Sequence, residues 1–226
     1  MRKGDEKRQE LLNAAEMLFC QNGYEKTSVQ DILNVTGLSK GGFYHHFASK
    51  DEVMTGLCDR RAERAAAYTA EMFSRTETPM GRINAVLRGF MPLRREEAAF
   101  VAMLLPAIGK SEGRAVAMIY QDALIKHFLP LLKAEIASAA AVETVFPPVR
   151  DMEIVVLHTV NHCWMEIAAD MYHALNENKR YEQPMLLSKL EKYRRAVELL
   201  LDAPYGSVEI VRVEEVVEMA RSILGA

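Results

Sequence analysis

Residues 28–47, SVQDILNVTGLSKGGFYHHF, contain two short helical patterns joined by a turn. In the first pattern apolar residues recur at helical spacing, and Ser28 with Asp31 forms the Ser-x-x-acid signal of a helix start. Gly37 follows the last apolar residue, where a helix end needs the left-handed backbone that glycine adopts without a Cβ penalty. Ser39 is placed to cap a second helix. The stretch therefore predicts a helix-turn-helix.

The second helix of this motif, predicted over residues 39–47, exposes small and polar residues once its phenylalanines pack inward. The exposed set is Ser39, Lys40, Gly41, Gly42, Tyr44, His45 and His46. Such residues suit a helix that meets base edges and phosphates in a major groove. Each glycine costs the helix about 1 kcal/mol relative to alanine, and close approach of the backbone to a partner would offset that cost. The helix is therefore a candidate DNA reader.

The overall charge does not mark the chain as a general nucleic-acid binder. It has 28 basic and 31 acidic residues and a sequence pI near 6.1. Residues 1–50 carry seven Lys/Arg against six Asp/Glu. Attraction to DNA must therefore be local, and affinity would depend on dimerisation and on neutral donors, with a moderate dependence on salt.

Two further features predict a cytoplasmic protein. Residues 1–10 are charged throughout, unlike a signal peptide, and the longest uncharged run, at 98–109, is too short to span a bilayer. The cysteines, Cys20, Cys58 and Cys163, are far apart and lack metal-ligand spacing, so we expect thiols in a reducing compartment. We expect neither a metal nor another cofactor.

Beyond residue 50 one helical pattern follows another, with no alternating strand signature. The predicted fold class is all-α, with a three-helix helix-turn-helix domain over residues 1–50 and a larger helical domain over 51–226. A helix at about residues 50–73 connects them. Further helices are predicted near residues 5–22, 79–91, 96–108, 113–143, 149–176, 184–202 and 213–224. Pro130 should kink or divide its helix, because it removes a backbone donor and crowds the preceding turn.

The helices at 149–176 and 184–202 carry apolar stripes that suit helix–helix association. A pair of such helices from each of two chains would form a four-helix dimer interface. The alternative is that the stripes face the core of one chain, and each stripe can do both along its length. The predicted interface residues are Leu157, Val160, Met171, Leu175, Leu186, Leu190, Tyr193, Val197 and Leu200.

The larger domain also offers aromatic and methionine side chains for an adaptable apolar pocket, since an unbranched thioether repacks around different shapes. Such side chains at helical spacing are more often ordinary core. The predicted pocket residues are Phe90, Phe100, Met103, Leu104, Met118, Tyr120, Phe128, His158, His162, Trp164 and Met165.

A polar stripe, His158, His162, Glu166 and Asp170, runs along one face of the helix at 149–176. It could hold a metal ion or a polar ligand, or consist of polar groups satisfied by packing at an interface. Two helical histidines without a third ligand from elsewhere are a weak metal signal. We therefore predict no metal site.

A series of short motifs runs through the N-terminal residues. They are Asn22-Gly23-Tyr24, Thr27-Ser28-Val29 with Ile32, Gly37-Leu38-Ser39, and Phe43-Tyr44-His45-His46-Phe47 with Lys50. This order resembles the N-terminal domain of TetR-family transcriptional repressors, specifically over about residues 8–57 and only in helical length and order beyond.

The resemblance implies a ligand-responsive regulator. It would be a homodimer whose two reading helices bind successive major grooves of a palindromic DNA operator, with half-sites about 34 to 36 Å apart or a multiple of that. A small, largely apolar effector bound in the larger domain would release it, and its action would be repression.

Carried over residue by residue, the resemblance implies two kinds of DNA contact. Ser28, Tyr44, His46 and Lys50 resemble phosphate contacts. The residues that approach bases would be Gln30, Lys40, Gly41, Gly42 and His45. Lys40 is the candidate for guanine, and its alternative is a phosphate contact without sequence information.

A second hypothesis is a helical ligand-binding or scaffold protein that does not bind DNA specifically, which the nearly neutral first fifty residues keep open. The chain has no glycine-rich phosphate cradle, no nucleophile elbow and no paired-carboxylate loop. We therefore do not expect an enzyme.

Overall fold

The computed structural model describes residues 3–73, 78–109, 114–177 and 183–224. Within these ranges helices are joined by turns and no strand is present, so the fold is all-α, with an N-terminal helix-turn-helix and a larger helical domain. No helix there is long and apolar enough to cross a bilayer. The helices are α1 (Lys3–Asn22), α2 (Val29–Thr36), α3 (Lys40–Tyr44), α4 (Lys50–Phe73), α5 (Pro79–Phe90), α6 (Ala98–Gly109), α7 (Arg114–Ala141), α8 (Met152–Glu177), α9 (Gln183–Leu201) and α10 (Val213–Leu224), with a 3-10 turn at Arg95–Glu97.

The helix-turn-helix forms through the predicted caps. Ser28 Oγ accepts from the N–H of Asp31 at 3.2 Å, and the Asp31 carboxylate accepts from the N–H of Ser28 at 2.8 Å. Gly37 ends α2 in the left-handed region, at φ 66°. Ser39 caps α3 by accepting from the N–H of Gly42 at 3.1 Å. The predicted helix starts and the turn are confirmed.

Two helices differ from their predicted extent. The helix α3 ends at Tyr44, short of Phe47, and the chain leaves it through a turn in which His46 N–H donates to Phe43 O at 2.8 Å. The helix α7 runs unbroken past Pro130, so the predicted division is wrong. A proline inside a helix costs about 3 kcal/mol, and burial of the α7 face against α4 and α5 offsets that cost.

Buried side chains form one continuous core from α1 to α10. Within it α4 packs mainly against α7 and α5. Gly89 on α5 faces Thr69 on α4, where a Cβ on the glycine would overlap Thr69 Oγ1 and lie 3.0 Å from Thr69 Cβ. The two helices therefore approach to a distance that only glycine permits at this position.

The C-terminal segment packs back on the larger domain. Asn84 of α5 donates to Ser207 O and accepts from Glu209 N, both at 2.9 Å. The fully buried carboxylate of Glu198 accepts from Arg194 at 2.6 Å and from Gly206 N–H at 2.7 Å. These bonds hold the segment before α10 against α5 and α9.

The cysteines behave as expected of thiols. Cys58 and Cys163 are buried and Cys20 is partly buried, and all three are free. Burial raises the pKa of the Cys58 thiol to about 12 and does the same for Cys163. Both thiols are therefore protonated at neutral pH, which leaves them without the nucleophilic thiolate.

Candidate DNA-binding face and ligand pocket

The helix α3 presents a polar face to solvent at the surface of the helix-turn-helix. Phe43 is fully buried beneath it, while Lys40, Gly41 and His45 are exposed and Tyr44 is 56% exposed. The buried phenylalanine fixes the rotation of this short helix, so the predicted contact residues share one side. The exposed hydrogen-bond donors of this face therefore surround the backbone of Gly41 and Gly42, which has no side chains.

The flat patch is made by the two glycines. A Cβ on Gly41 would have its nearest side-chain neighbour, Ser39 Oγ, 3.9 Å away, and one on Gly42 would lie 3.5 Å from the same atom. Both distances are ordinary van der Waals contacts, and neither glycine has a positive φ. Packing within the chain therefore gives no reason for glycine at these positions.

Two predicted contact residues on and before α2 are already engaged within the chain. The Ser28 hydroxyl donates to Asp31 Oδ2 at 2.6 Å, a bond that lowers the pKa of the Asp31 carboxyl. Gln30 Nε2 donates to Asn34 Oδ1 at 2.9 Å. A DNA contact by Ser28 would have to give up this bond beside a negative charge, whereas Gln30 is exposed and would exchange one amide partner for another.

Lys50 and the two histidines follow α3 in the chain. Lys50 Nζ donates to Tyr24 O at 2.9 Å and lies 4.2 Å from the centre of the Tyr24 ring. An ammonium has three donors, so this contact orients Lys50 and leaves donors for a phosphate. The His45 and His46 rings meet edge to face, with centroids 5.0 Å apart.

A small pocket of about 10 Å3, partly open to solvent, lies between α6, α7 and α8. It is lined by Leu104, Ile108, Ala117, Tyr120, Gln121, Leu124, Asn161, Trp164 and Met165. Leu104, Tyr120, Trp164 and Met165 were among the predicted pocket residues. The other predicted side chains do not line this pocket.

The remaining predicted pocket residues have other surroundings. Phe90 and Phe128 are buried against each other in the core, with ring centroids 5.6 Å apart. Phe100 is buried and meets Tyr120 from behind the pocket wall. Met118 is 59% exposed. Met103 is partly buried against the core. His158 Nδ1 accepts from Gln121 Nε2 at 3.3 Å. His162 is exposed.

Sequence reasoning missed the polar members of the pocket, Gln121 and Asn161. The side chain of Asn161 is buried, and Leu157, Trp164 and Ala168 near the same helix face are buried and apolar. The sequence signal for Asn161 was a polar residue inside an apolar stripe, because burial of a polar side chain without a hydrogen bond is costly.

The apolar stripes of α8 and α9 lie mainly inside one chain. Leu157, Val160, Met171, Leu186, Tyr193 and Val197 are buried in the single protomer, so their side chains cannot also be a partner's contact surface. The physical reason is that α8 and α9 pack against each other and α8 against α6 and α7. Among the predicted interface residues Leu190 and Leu200 are partly buried, and Leu175 is 41% exposed.

The polar stripe on α8 is tied to α9. Glu166 accepts from Lys192 at 3.1 Å and from the Tyr193 hydroxyl at 2.7 Å, and Asp170 pairs with Lys189. His162 Nε2 lies 3.7 Å from Glu166. The carboxylates are thus engaged in helix–helix contacts, and the described residues contain no group of three side chains that could hold a metal ion.

Arg61 on α4 joins the helix-turn-helix to the pocket domain. Its guanidinium pairs with Glu16 of α1 and with Glu97 of the 3-10 turn, and it lies 4.3 Å from the centre of the Phe100 ring. Phe100 meets Tyr120 edge-on at 5.1 Å between centroids. Because Tyr120 lines the pocket, an unbroken series of contacts links α1 to the pocket wall.

Residues 11–56 match the family model described as bacterial regulatory proteins, tetR family. The HTH-type transcriptional repressor AcnR of Corynebacterium efficiens is 36% identical over 64 residues, which are 28% of this chain and 34% of that protein. The HTH-type transcriptional repressor KstR2 of Rhodococcus jostii is 32% identical over 127 residues, 54% of this chain and 52% of that protein. The chain thus spans between a third and a half of the length of these relatives.

Solved structures extend the likeness in fold over the larger domain. Salmonella enterica GusR superposes with a TM-score of 0.58 at 19% identity, over 90% of this chain and 99% of that one. FadR of Bacillus subtilis, solved in complex with stearoyl-CoA, gives a TM-score of 0.58 at 15% identity, over 87% and 99%. Residues 11–56 are therefore similar to the N-terminal segment of tetR-family bacterial regulatory proteins, and the rest of the chain shares the fold of these solved structures.

Proposed function

We propose that the chain is a transcriptional repressor that binds a palindromic operator as a homodimer and leaves it when a small, largely apolar effector enters the larger domain. The observation that carries the DNA-binding half is the exposed face of α3, with two glycines that packing within the chain does not require. The relatives that share the N-terminal segment and are named transcriptional repressors support it.

In this proposal α3 enters the major groove and the flat patch at Gly41 and Gly42 lets the backbone approach the bases. Lys40 would read guanine from the exposed side of the helix, with Gln30 and His45 beside it. Phosphates would be held by Tyr44, His46 and Lys50. Ser28 is left outside this set because its hydroxyl already donates a hydrogen bond to the Asp31 carboxylate.

The functional division of the chain falls at about residue 50, where α4 begins. Residues 1–50 would bind DNA, and residues 51–226 would bind the effector and the second protomer. The dimer contact would use the surface that α8 and α9 leave uncovered, which includes Val155, Leu187 and Leu199. Two heads on one dimer would compensate for the few basic residues on each.

Release requires that the pocket and the head be coupled, and the contacts of Arg61 supply a physical route. A ligand that displaced Tyr120 would disturb Phe100 and, through it, the pairing of Arg61 with Glu16 on α1. Coupling of this kind is typically about 1 to 3 kcal/mol and is reciprocal, so operator DNA would weaken effector binding by the same factor. The stearoyl-CoA in the FadR structure supports a ligand role for a domain of this fold.

Fluorescence polarisation with DNA from upstream of the gene tests the DNA-binding half. We expect specific binding that is lost in excess unlabelled operator, weakened by Tyr44→Ala for every sequence, and less discriminating in Lys40→Ala. A uniform loss of affinity in Lys40→Ala would assign that residue to a phosphate. Absence of specific binding at low salt would favour a helical ligand-binding or scaffold protein.

A further inference from the structure

One exposed stripe of the helix α8 combines coiled-coil spacing with the absence of any Asp, Glu, Lys or Arg. Its members recur at intervals of three and four residues, and each is exposed or partly exposed. They are Val155, His158, His162, Met165, Ala169, Tyr172 and Asn176. This spacing aligns side chains along one seam of a helix. We call these residues the outer stripe, because the buried apolar residues of α8 face the core.

The composition of the outer stripe differs from that of the solvent faces of the other long helices. The exposed residues of α4 include Glu63 and Arg64. Those of α7 include Asp122, Lys126 and Lys133. A helix face that stays in water normally carries charged and polar side chains. Depletion of Lys, Glu and Asp beside Met and Tyr is instead the composition of the centre of a protein interface.

A second copy of the chain is the partner that this composition favours. In a two-fold dimer a residue near the axis meets the same residue of the other copy. A charged residue there would meet its own charge, whereas apolar side chains and neutral histidine can pack against themselves. The apolar surface also continues onto α9, because the contact of His162 with Tyr193 places Leu199, which is 61% exposed, near the level of Val155.

Two members of the outer stripe, His158 and His162, are able to change their charge with pH. Histidine is the side chain whose charge ordinarily changes between about pH 5 and 8. The side chain of His162 is 70% exposed, and His158 is exposed, with its Nδ1 3.3 Å from Gln121 Nε2. The protomer encloses neither ring, so both can take up a proton in the separated chain.

The charged groups beside His162 already balance one another. Glu166 Oε1 lies 3.1 Å from Nζ of Lys192 on α9. Asp170 pairs in the same way with Lys189. Burial acts to raise the pKa of the Glu166 carboxyl, but hydrogen bonds from a tyrosine and a lysine of α9 outweigh it and lower this pKa, so the carboxylate stays ionised in mild acid. A proton on His162, 3.7 Å from Glu166, therefore adds a positive charge to a balanced set.

The other helices that pack against α8 do little to compensate a proton on His158. The helix α7 meets this ring with the uncharged amide of Gln121, and the next residue, Asp122, is exposed to water, which screens its charge. The helix α6 has no titratable side chain. The arginines of α5, Arg82 and Arg88, pair with carboxylates of α7 and α10. Protonation of the two histidines therefore leaves the outer stripe positively charged.

We propose that two copies of the chain associate through the outer stripe, and that protonation of His158 and His162 separates them. Each proton places the same positive charge on both copies, and the two-fold arrangement brings these charges to one seam. Protons thus bind the separated chains better than the dimer, so the dimer is stable at neutral pH and is lost as the pH falls. The inference rests on the homodimer of the proposed function and assigns a regulator to it.

Sedimentation equilibrium of the full-length chain at constant ionic strength measures the dissociation constant of the dimer. Between about pH 8 and about pH 5.5 we expect this constant to rise at least about tenfold. Far-UV circular dichroism at each pH checks that the chain remains folded. A dissociation constant that stays unchanged or falls in acid would overturn the proposal, as would a chain that is monomeric at every pH.

The double variant His158→Gln with His162→Gln isolates the two charges. Glutamine keeps a hydrogen-bonding side chain and gains no proton in mild acid, so the double variant should stay dimeric there and lose most of the pH dependence. The matched control is His127→Gln, a histidine of α7 that contacts Asp59 of α4, which should keep the pH dependence of the unchanged chain. Equal pH dependence in the double variant and the unchanged chain would overturn the assignment to these histidines.

The variant Ala169→Glu tests the location of the interface. At about pH 8 it places a carboxylate on the outer stripe of both copies, and we expect the dimer to weaken at least about tenfold. The control is Ala134→Glu, at an exposed position of α7, which should leave the dissociation constant unchanged. A dimer of undiminished strength in Ala169→Glu would remove the outer stripe from the interface.

Polarisation with operator DNA on the same samples separates this proposal from the proposed function. If the dimer weakens in acid as expected but binds no operator at about pH 8, the repressor role fails and the acid-sensitive dimer stands. If operator is bound by a dimer whose dissociation constant does not change with pH, the proposed function stands and the role of the two histidines fails.

Discussion

The exposed face of α3 and the contact between α4 and α5 use glycine for opposite reasons. At Gly89 a side chain would overlap Thr69 of the neighbouring helix, so the residue is fixed by packing within the chain. At Gly41 a Cβ would meet nothing closer than 3.9 Å, so the chain itself does not need a glycine. Packing within the chain therefore explains the glycine between α4 and α5, whereas it does not explain the glycine on α3.

The largest expected effect comes from Arg61, which joins the helix-turn-helix to the larger domain. In Arg61→Met the carboxylates of Glu16 and Glu97 lose a buried partner, and removal of one member of a buried ion pair costs about 3 to 5 kcal/mol. Urea unfolding should show a loss near the lower end, since Arg60 still pairs with Glu16 at 2.7 Å. The control is Arg64→Met, at an exposed position on the same helix. An equally small loss of unfolding free energy in both variants would contradict the role of Arg61 in joining the two domains.

The next effect tests packing in the larger domain. Gly89→Ala forces a Cβ against Thr69, whose own Cβ cannot move aside by rotation, and overpacking of this kind costs typically about 1 to 3 kcal/mol. The loss should appear in the urea midpoint. Gly4→Ala on α1, where no atom lies within 4 Å of the added Cβ, should not destabilise. Tolerance of Gly89→Ala without loss would mean that α4 and α5 do not need their close approach.

A smaller effect tests the local chemistry of the helix-turn-helix. Ser39→Ala removes the oxygen that accepts from Gly42 N–H, and loss of an N-cap costs about 1 kcal/mol. Thermal unfolding should detect it. The matched change Ser222→Ala on α10, where the hydroxyl only donates to the carbonyl of Glu218 one turn earlier, should stay within about 0.5 kcal/mol of the unchanged chain. Equal stability of both variants would leave Ser39 without a capping role.

The smallest expected effect on stability comes from Gly41→Ala, which tests whether this glycine serves an outside partner. Gly41→Ala should stabilise the fold by up to roughly 0.5 to 1 kcal/mol, because alanine favours helix and meets no clash. The same variant should bind operator DNA about tenfold more weakly, since the added methyl group holds the backbone away from the bases. Polarisation and urea unfolding on one preparation measure both changes. Unchanged DNA affinity would show that the glycine has no outside partner.

The N-terminal motif could be predicted because its signals are local. Ser28, Gly37 and Ser39 each act on backbone groups within a few residues, so their roles can be derived from sequence spacing alone. The all-α fold class followed from periodicity in the same way. The end of α3 was predicted three residues too late because His45 and His46 leave the helix in a turn that residue type does not reveal.

The larger domain was harder to predict because periodicity shows which face of a helix is apolar and not which neighbour covers it. The stripes of α8 and α9 suited a partner chain equally well, yet Leu157 and Val197 are covered within the protomer. Asn161 was not predicted to line the pocket for a related reason. The residues around it come from α6 and α7, more than thirty residues away along the chain. Pro130 was expected to kink or divide α7, and the helix is not divided there.

The bonds between α5 and the C-terminal segment have a consequence for the order of events during synthesis. Asn84 finds its partner in Ser207, 123 residues later, and Arg88 reaches Glu215 after 127 residues. A nascent chain on the ribosome therefore exposes this side of α5 until residues 207–215 have been translated. Domains generally fold as units while N-terminal parts emerge first, so the helix-turn-helix can be complete long before the domain that would control it.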